Sequence, residues 1–190
     1  LREREPSDFY PTPKEIIRTI LKDYSEKHSA PQKILDPGCG EGVWGEVAKE
    51  FWPKAVICGV DIRDVNVNTN YYIWNNNTDF LTYKFDIKNV DLVIGNPPFK
   101  YAEQFLEKCI GTNVIFLLRA SFLESKKRYQ KYYSDYNSPY RPSEIKISTR
   151  RISFTGNKKS DNTMYGIYYW LKSNFITDTK LSWLDWEYDK

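Results

Sequence analysis

The chain has one histidine in 190 residues, His28, and three cysteines, Cys39, Cys58 and Cys109. A single histidine excludes a Ser-His-Asp triad and a multi-histidine metal site. Cysteines odd in number and without Cys-x-x-Cys spacing support neither a disulfide framework nor zinc, so no metal is expected. His28 follows a predicted helix in a polar setting and reads as a surface residue. Long apolar runs are missing too. None approaches the roughly 20 residues that a membrane span needs, and the first residues, LREREP, lack the apolar core of a secretion signal. A soluble, cytoplasmic protein with no membrane partner is the expectation. Charge of one sign is scarce as well. With 28 Lys and Arg against 25 Asp and Glu the net charge is +3, so affinity for a polyanion has to come from where the charges lie rather than from their sum.

Aromatic residues, by contrast, are plentiful: 15 Tyr, 10 Phe and 6 Trp. Stacking on nucleobases is one use for such rings and a large aromatic core is another; composition does not choose. The length suits one domain, residues 1–190, with no second catalytic domain expected.

The most informative stretch is Asp91 to Phe99, DLVIGNPPF. An apolar run stopped by Asn-Pro-Pro reads as a short buried strand that ends where two prolines can no longer donate to a ladder. The prolines stiffen the tip, and its polar groups are their carbonyls and the Asn96 amide. A flat ring carrying an exocyclic amine suits that tip: the amine donates to the Asn96 oxygen and the Pro97 carbonyl while Phe99 lies against the ring face. The plainer reading is a turn before the helix that begins near Tyr101.

Read from its start, the chain alternates helices and strands. Thr12, Pro13 and Glu15 form a helix-start pattern of cap, first-turn proline and glutamate. Ile16, Ile17, Ile20, Leu21 and Tyr24 then share a helical stripe that should run to about Lys27. Phe9 and Tyr10, just before, are either a hydrophobic staple or a lid over a ligand. Lys33 to Asp36 is a predicted strand, followed by PGCGEG and the helical stripe Val43, Trp44, Val47, Ala48, Phe51. In that context Gly38, Gly40 and Gly42 allow a tight turn and close backbone approach to a ligand, and the helix N-terminus supplies free N–H groups. The next strand, Ala55 to Val60, ends in Asp61, about 20 residues beyond the loop, where an acid accepts from both hydroxyls of a ribose. Asp36 and Glu41 flank the loop and Gly-Lys-Ser/Thr is absent, so it suits a ligand without phosphates. The cationic sulfonium and ammonium of S-adenosylmethionine fit such an acidic mouth.

Tyr71 to Trp74 is a third predicted strand, and Asp79 stands near a strand end, where it either accepts an adenine amine beside Phe80 or caps a turn; Asp86 is a weaker rival. Ala102, Phe105, Leu106, Cys109 and Ile110 make a further helical face closed by Gly111, and Asn113 to Leu118 is another buried strand. Right-handed crossovers turn these alternations into a doubly wound parallel sheet whose ligands sit at the carboxyl ends of the strands. Glu144 to Ser148 and Met164 to Leu171 lack a crossover helix and are predicted as an antiparallel hairpin at the sheet edge. Upstream of that pair, SFLESKKRYQKYYSDYNSPYRP interleaves Lys126, Lys127, Arg128, Lys131 and Arg141 with tyrosines, a pattern for a nucleic-acid backbone and its bases or for a solvated helix face. RRISFTGNKKSDN mixes basic residues with Phe154 in the same way, and Trp183 and Trp186 dock either on this chain or on a partner.

FYPTP, DPGCGEG, strand-end Asp61, TDFL and GNPPF, in that order, resemble the adenine-N6 DNA methyltransferases of the gamma arrangement. LLRASFLESKKR, RISFTGNKKSDN and YGIYYW look like compact phage-type and prokaryotic members of that family, and the likeness covers about residues 9 to 171. It implies an α/β, single-domain Rossmann-like methyltransferase fold, with a mostly parallel doubly wound sheet and an antiparallel edge hairpin. It implies S-adenosylmethionine as cofactor, with Tyr10, Thr12 and Pro13 at its methionine end and Asp36, Gly38 and Gly40 along its middle. Asp61, followed by Ile62, would hold the ribose side, and Asp79 with Phe80 the adenine. Asn96, Pro97, Pro98 and Phe99 would be the catalytic grip on the target base, Phe154 would stack on the other face, and Lys126, Lys127, Arg128 and Lys131 would bind the substrate. The implied reaction is methylation of adenine N6 in DNA with base flipping. Without a domain of its own for target recognition, the chain is expected to rely on a partner chain or a second copy. RNA adenine methylation, protein glutamine methylation (where Tyr is more usual than Phe99) and a catalytically silent nucleic-acid-binding subunit are the alternatives.

Overall fold

Five apolar residues at helical spacing, Ile16, Ile17, Ile20, Leu21 and Tyr24, are all buried on one side of the first helix, α1 (Lys14–Ser25). Each contributes roughly 1.5–3 kcal/mol by leaving water, so packing rather than propensity holds this helix in place. The computed structural model describes residues 11–65, 72–154, 163–172 and 178–188. Phe9, Tyr10, Lys158 and Lys159 lie outside the described residues. The predicted cap is displaced by one residue. Pro13 occupies the N-cap position without a side-chain cap bond, and the Thr12 hydroxyl is used in the site described below.

β1 (Lys33–Pro37), β2 (Val56–Val60), β3 (Tyr72–Asn75), β4 (Leu92–Gly95) and β5 (Asn113–Arg119) pair in parallel. α2 (Val43–Phe51) follows β1, and α3 (Ala102–Cys109) joins β4 to β5. β6 (Glu144–Ser148) and β7 (Tyr165–Trp170) pair antiparallel, as predicted. β7 also pairs antiparallel with β5, and an eighth strand, β8 (Lys180–Leu184), adds in parallel outside β6. Burial explains this arrangement. Every residue of β7 is buried, which requires a neighbour on each side and a layer on each face. The strand order is β3-β2-β1-β4-β5-β7-β6-β8.

Alternate residues of the sheet feed two cores. Ile115 and Leu117 of β5 join α1 and α2 on one face, while Val114, Phe116 and Leu118 join α3 on the other. Lys14 pairs with Glu46 and Arg18 forks onto Glu50 at 2.7 and 2.9 Å, tying α1 to α2 at the surface. The C-terminal stretch docks on this chain: Trp186 is buried and its Nε1 donates to Ser148 Oγ at 2.8 Å, whereas Trp183 is exposed. Among the described residues no helix is long and apolar enough to cross a membrane. The chain leaves β1 for β2 and β3 on one side and returns to β4 on the other, so the crevice between β1 and β4 is where a doubly wound sheet binds ligands.

Candidate active site

The loop after β1 turns through three glycines with positive φ, Gly38 (+69°), Gly40 (+56°) and Gly42 (+84°), a backbone path that side chains with a Cβ rarely take. The turn is tied to the neighbouring strand: the N–H groups of Gly38 and Cys39 both donate to the Val60 carbonyl, at 2.7 and 3.2 Å. Asp36, 1 % exposed, lies under it. A Cβ on Gly95 at the end of β4 would come 3.1 Å from Asp36 Oδ1, so a glycine there lets the two strand ends close on one another.

Asp61 is buried just past β2. Its Oδ2 accepts from the Gly40 N–H at 2.7 Å, and its carboxylate takes the Arg63 guanidinium side-on, Nε to Oδ1 at 3.0 Å and Nη2 to Oδ2 at 3.1 Å. The Arg63 backbone N–H also donates to Oδ1 at 2.9 Å. The neighbouring Cys39 is no nucleophile. Burial first, then the charges of Asp36 and Asp61, push its thiol pKa far up, so it stays protonated. Ile62, next to Asp61, is by contrast 64 % exposed, an apolar side chain laid open beside a polar cleft.

The Asn-Pro-Pro-Phe tip follows β4. Thr12 Oγ1 accepts from Trp44 Nε1 at 3.3 Å and from Asn96 Nδ2 at 3.4 Å. Because the amide nitrogen faces Thr12, the amide oxygen points the other way. That oxygen, Asn96 Oδ1, is buried and has no hydrogen-bond partner among the described residues. An acceptor left in that condition costs about 1–3 kcal/mol, which a bound donor would recover. The Pro98 carbonyl is already used by the Tyr101 N–H at 2.8 Å, and the tip passes through a short 3₁₀ turn into α3. Phe99 is half-buried. The Arg119 guanidinium sits 4.5 Å from its ring centroid and Tyr165 lies 5.9 Å away.

The structure thus brings Thr12, Asp36, Gly38, Gly40, Asp61 and Asn96 to one rim, with Pro13 at the start of α1 beside them in sequence. Asp79 reaches the same rim: the Thr78 N–H donates to the Asp61 carbonyl at 2.9 Å, and Asp79 Oδ1 caps its own turn by accepting from the Leu81 N–H at 2.9 Å. Phe80 is buried against Phe105 and Phe85, with centroids 4.8 and 5.4 Å away. Phe154 is buried and packs on Tyr165, which stands between it and Phe99. Of the basic cluster, Arg128 pairs with Glu103 at 2.6 Å and Lys131 pairs with Glu107, whereas Lys126 and Lys127 are exposed. Tyr132 of the same segment is fully buried, while Tyr129 and Tyr136 are exposed. Trp44, Arg63, Arg119 and Tyr165 also contact these groups, beyond the site residues that the sequence motifs show. Arg63 had a signal, an opposite charge two residues from Asp61; the other three reach the site only through folding.

Comparison with known proteins agrees with this fold. The model of the methyltransferase small domain family matches residues 18–116. A protein of Shewanella loihica named ribosomal RNA large subunit methyltransferase G is 30% identical over 102 residues, which are 45% of this chain and 25% of that one. The chain therefore spans about a quarter of the length of the curated relatives it matches. Among solved structures, a modification subunit of a candidate type I restriction enzyme from Vibrio vulnificus superposes with a TM-score of 0.65 at 16% identity, covering 92% of this chain and 46% of that one. A candidate RNA methyltransferase from Pyrococcus horikoshii gives a TM-score of 0.64 at 18% identity, covering 87% and 89%. With more than half its length matched, the chain belongs to the methyltransferase small domain family, whose methyl donor is S-adenosylmethionine.

Proposed function

We propose that the chain transfers a methyl group from S-adenosylmethionine to the exocyclic amine of a nucleobase in a polynucleotide, with adenine N6 in DNA as the acceptor that the Asn-Pro-Pro-Phe tip suits best. The observation that carries this reading is Asn96 Oδ1, a buried acceptor without a partner among the described residues, held outward by the bond from Nδ2 to Thr12. An amine N–H is the donor it lacks, and the Pro97 carbonyl is the second acceptor for the same amine. Two such bonds hold the amine nitrogen in place and leave its lone pair directed at the methyl group. Phe99 supplies a ring face for the base.

The residues of the glycine loop fit the donor. Asp61 would exchange the Arg63 guanidinium for the two ribose hydroxyls, and Ile62 would cover a face of the adenine ring. Asp36, Gly38 and Gly40 would line the middle of the cleft, Thr12 and Pro13 its methionine end, and Asp79 with Phe80 the far end. S-adenosylmethionine, when bound, supplies an electrophilic methyl group on a sulfonium that leaves as a neutral sulfide. In the transfer the amine lone pair becomes the N–C bond, the S–C pair stays on sulfur and one amine proton passes to water. No strong base is needed, in keeping with a chain whose single histidine, His28, stacks on Tyr24 at 4.5 Å in α1.

Lys126 and Lys127, exposed beside exposed Tyr129, support a polyanionic substrate. RNA is the second reading, favoured by relatives named as ribosomal RNA methyltransferases. Target recognition by a partner chain or a second copy completes the first. The test is methyl transfer from labelled S-adenosylmethionine to DNA, RNA and protein, followed by digestion and identification of the modified unit. Label in DNA as N6-methyladenine is the expected result. Label in RNA alone would exchange the acceptor for the second reading, and label in protein or in none of the three would overturn both.

A further inference from the structure

A cavity of about 400 Å³ opens beside Phe99, lined by Phe99, Lys100, Arg119, Ser121, Phe122 and Arg128 with apolar side chains completing the wall. No acid lines it. Glu103, the carboxylate paired with Arg128, accepts from Arg128 Nε at 2.6 Å and from Tyr132 Oη at 3.3 Å. Arg128 Nη1 also donates to the Ser121 and Glu124 carbonyls, at 3.0 and 3.4 Å. Its guanidinium is therefore fixed before any ligand arrives. Both guanidinium groups lie over rings, Arg119 over Phe99 at 4.5 Å and Arg128 over Phe122 at 5.1 Å. A guanidinium laid on a ring keeps its N–H groups at the edge, where a planar fork meets the oxygens of a phosphate. The Lys100 ammonium adds a third positive charge, and the Ser121 hydroxyl a donor.

The size of the cavity bears on what it holds. Cavities of roughly 300–1,000 Å³ accommodate organic ligands rather than bare ions, so the space takes a phosphate with the sugar attached to it. Its position bears on where that phosphate comes from. Arg119 closes β5 as Gly95 closes the adjacent β4, one residue before Asn96. Phe99, which lines the cavity, follows Asn96 by three residues on the same tip, so a group lodged in the cavity lies close to one held by the Asn96 oxygen.

We propose that this cavity seats the backbone phosphodiester adjoining the target nucleotide, with Arg119 and Lys100 as its partners and Arg128, held by Glu103, as part of the wall. The proposal rests on the nucleic-acid reading above. Its test uses an oligonucleotide that the labelling experiment has identified as a methyl acceptor, made with one uncharged methylphosphonate linkage at each backbone position in turn. A linkage next to the modified base should weaken binding about tenfold, the loss of a charged hydrogen bond, while more distant linkages cost less. In the Arg119→Gln protein the same methylphosphonate should cost about threefold or less, because one of its partners is already gone. Lys100→Gln, at an exposed position, should reduce that sensitivity in part and keeps the test valid if Arg119→Gln fails to fold. Inorganic phosphate should compete no better than chloride at equal ionic strength. Uniform sensitivity along the backbone, or full sensitivity retained in both variants, would overturn the proposal. So would specific competition by inorganic phosphate, which would make the cavity a free-anion site. If no oligonucleotide accepts a methyl group, the underlying reading fails as well, and that result is separate from all of these.

Discussion

From β3 to β5 the strands run parallel, and on one rim they end in the Gly38 to Gly42 turn, Asp61 and the Asn96 tip. Beyond β5, β7 runs antiparallel to both its neighbours, and the chain around it brings basic and aromatic side chains rather than ligand turns. The family match stops at Phe116, inside β5, at the boundary between the two regions. The difference follows from strand direction. Parallel strands all deliver their carboxyl ends to one rim, so cofactor and acceptor groups accumulate there. Antiparallel strands send successive ends to opposite rims and cannot concentrate a site in that way. On the proposed reading the first region is the donor platform, and the second braces it and supplies surface for the substrate.

Four tests bear on that division. The largest effect belongs to the platform. Asn96→Ala should lower methyl transfer by about a thousandfold or more, since it removes an interaction made to the reacting group, while S-adenosylmethionine affinity in calorimetric titration stays nearly unchanged. Equal loss of both would show that Asn96 serves the donor rather than the acceptor.

The second test lies at the joint between the regions. Asp23 of α1 accepts from Lys146 of β6 at 2.5 Å, from Tyr169 of β7 at 3.3 Å and from Lys27 at 2.5 Å. Asp23→Asn leaves the buried Lys146 ammonium with Glu144 at 3.8 Å as its remaining ion-pair partner and should cost about 2–3 kcal/mol in denaturant unfolding. Burial by itself would raise the Asp23 pKa, but the hydrogen bonds from Lys146 and Lys27 outweigh it and hold the carboxyl lower than usual. A depressed carboxyl contributes stability that is present above its unfolded pKa of about 3.9 and is lost as pH falls through the lower folded value. The wild type should therefore lose stability below that point, and the Asp23→Asn protein should lack that component of the acid transition.

A third test concerns Thr12, which orients Asn96 without touching the acceptor base. Thr12→Val should cut kcat about tenfold with KM for the nucleic acid little changed, the loss of one orienting hydrogen bond. Thr12→Ser should restore it, and failure of that rescue would reduce Thr12 to a packing residue. The smallest effect belongs to the second region. Replacing Lys126 and Lys127 by glutamine should weaken binding several-fold at low salt and lower the salt slope by about two. Lys131→Gln should do less, because Glu107 already partners Lys131. Equal effects would mean that the ion pair opens on binding.

How much of this could be read beforehand depends on the distance between the partners. The α1 stripe, the glycine turn with Asp61 and the Asn-Pro-Pro-Phe tip were each legible, because every one is a pattern within a few residues of one element. The capping role expected of Thr12 was a local inference too, and it lost to partners 32 and 84 residues away. The basic segment looked uniform in sequence, yet Glu103 and Glu107, one helical turn apart on α3, take up Arg128 and Lys131 and leave Lys126 and Lys127 exposed. Trp183 and Trp186 look alike in sequence, yet Trp183 is exposed on β8 and Trp186, two residues past its end, is buried in the core.

By itself the sequence determined the order of the main strands and helices as far as β7, the glycine turn, the acid at the end of β2 and the amide at the end of β4, since periodicity, proline and glycine act over a few residues. Tertiary structure alone decided which way the Asn96 amide faces, which cations are paired with α3 and where the cavity beside Phe99 lies. The reason is physical: a side chain's hydrogen bonds and ion pairs go to whatever the fold packs beside it, and those neighbours are set by strand order, not by position along the chain.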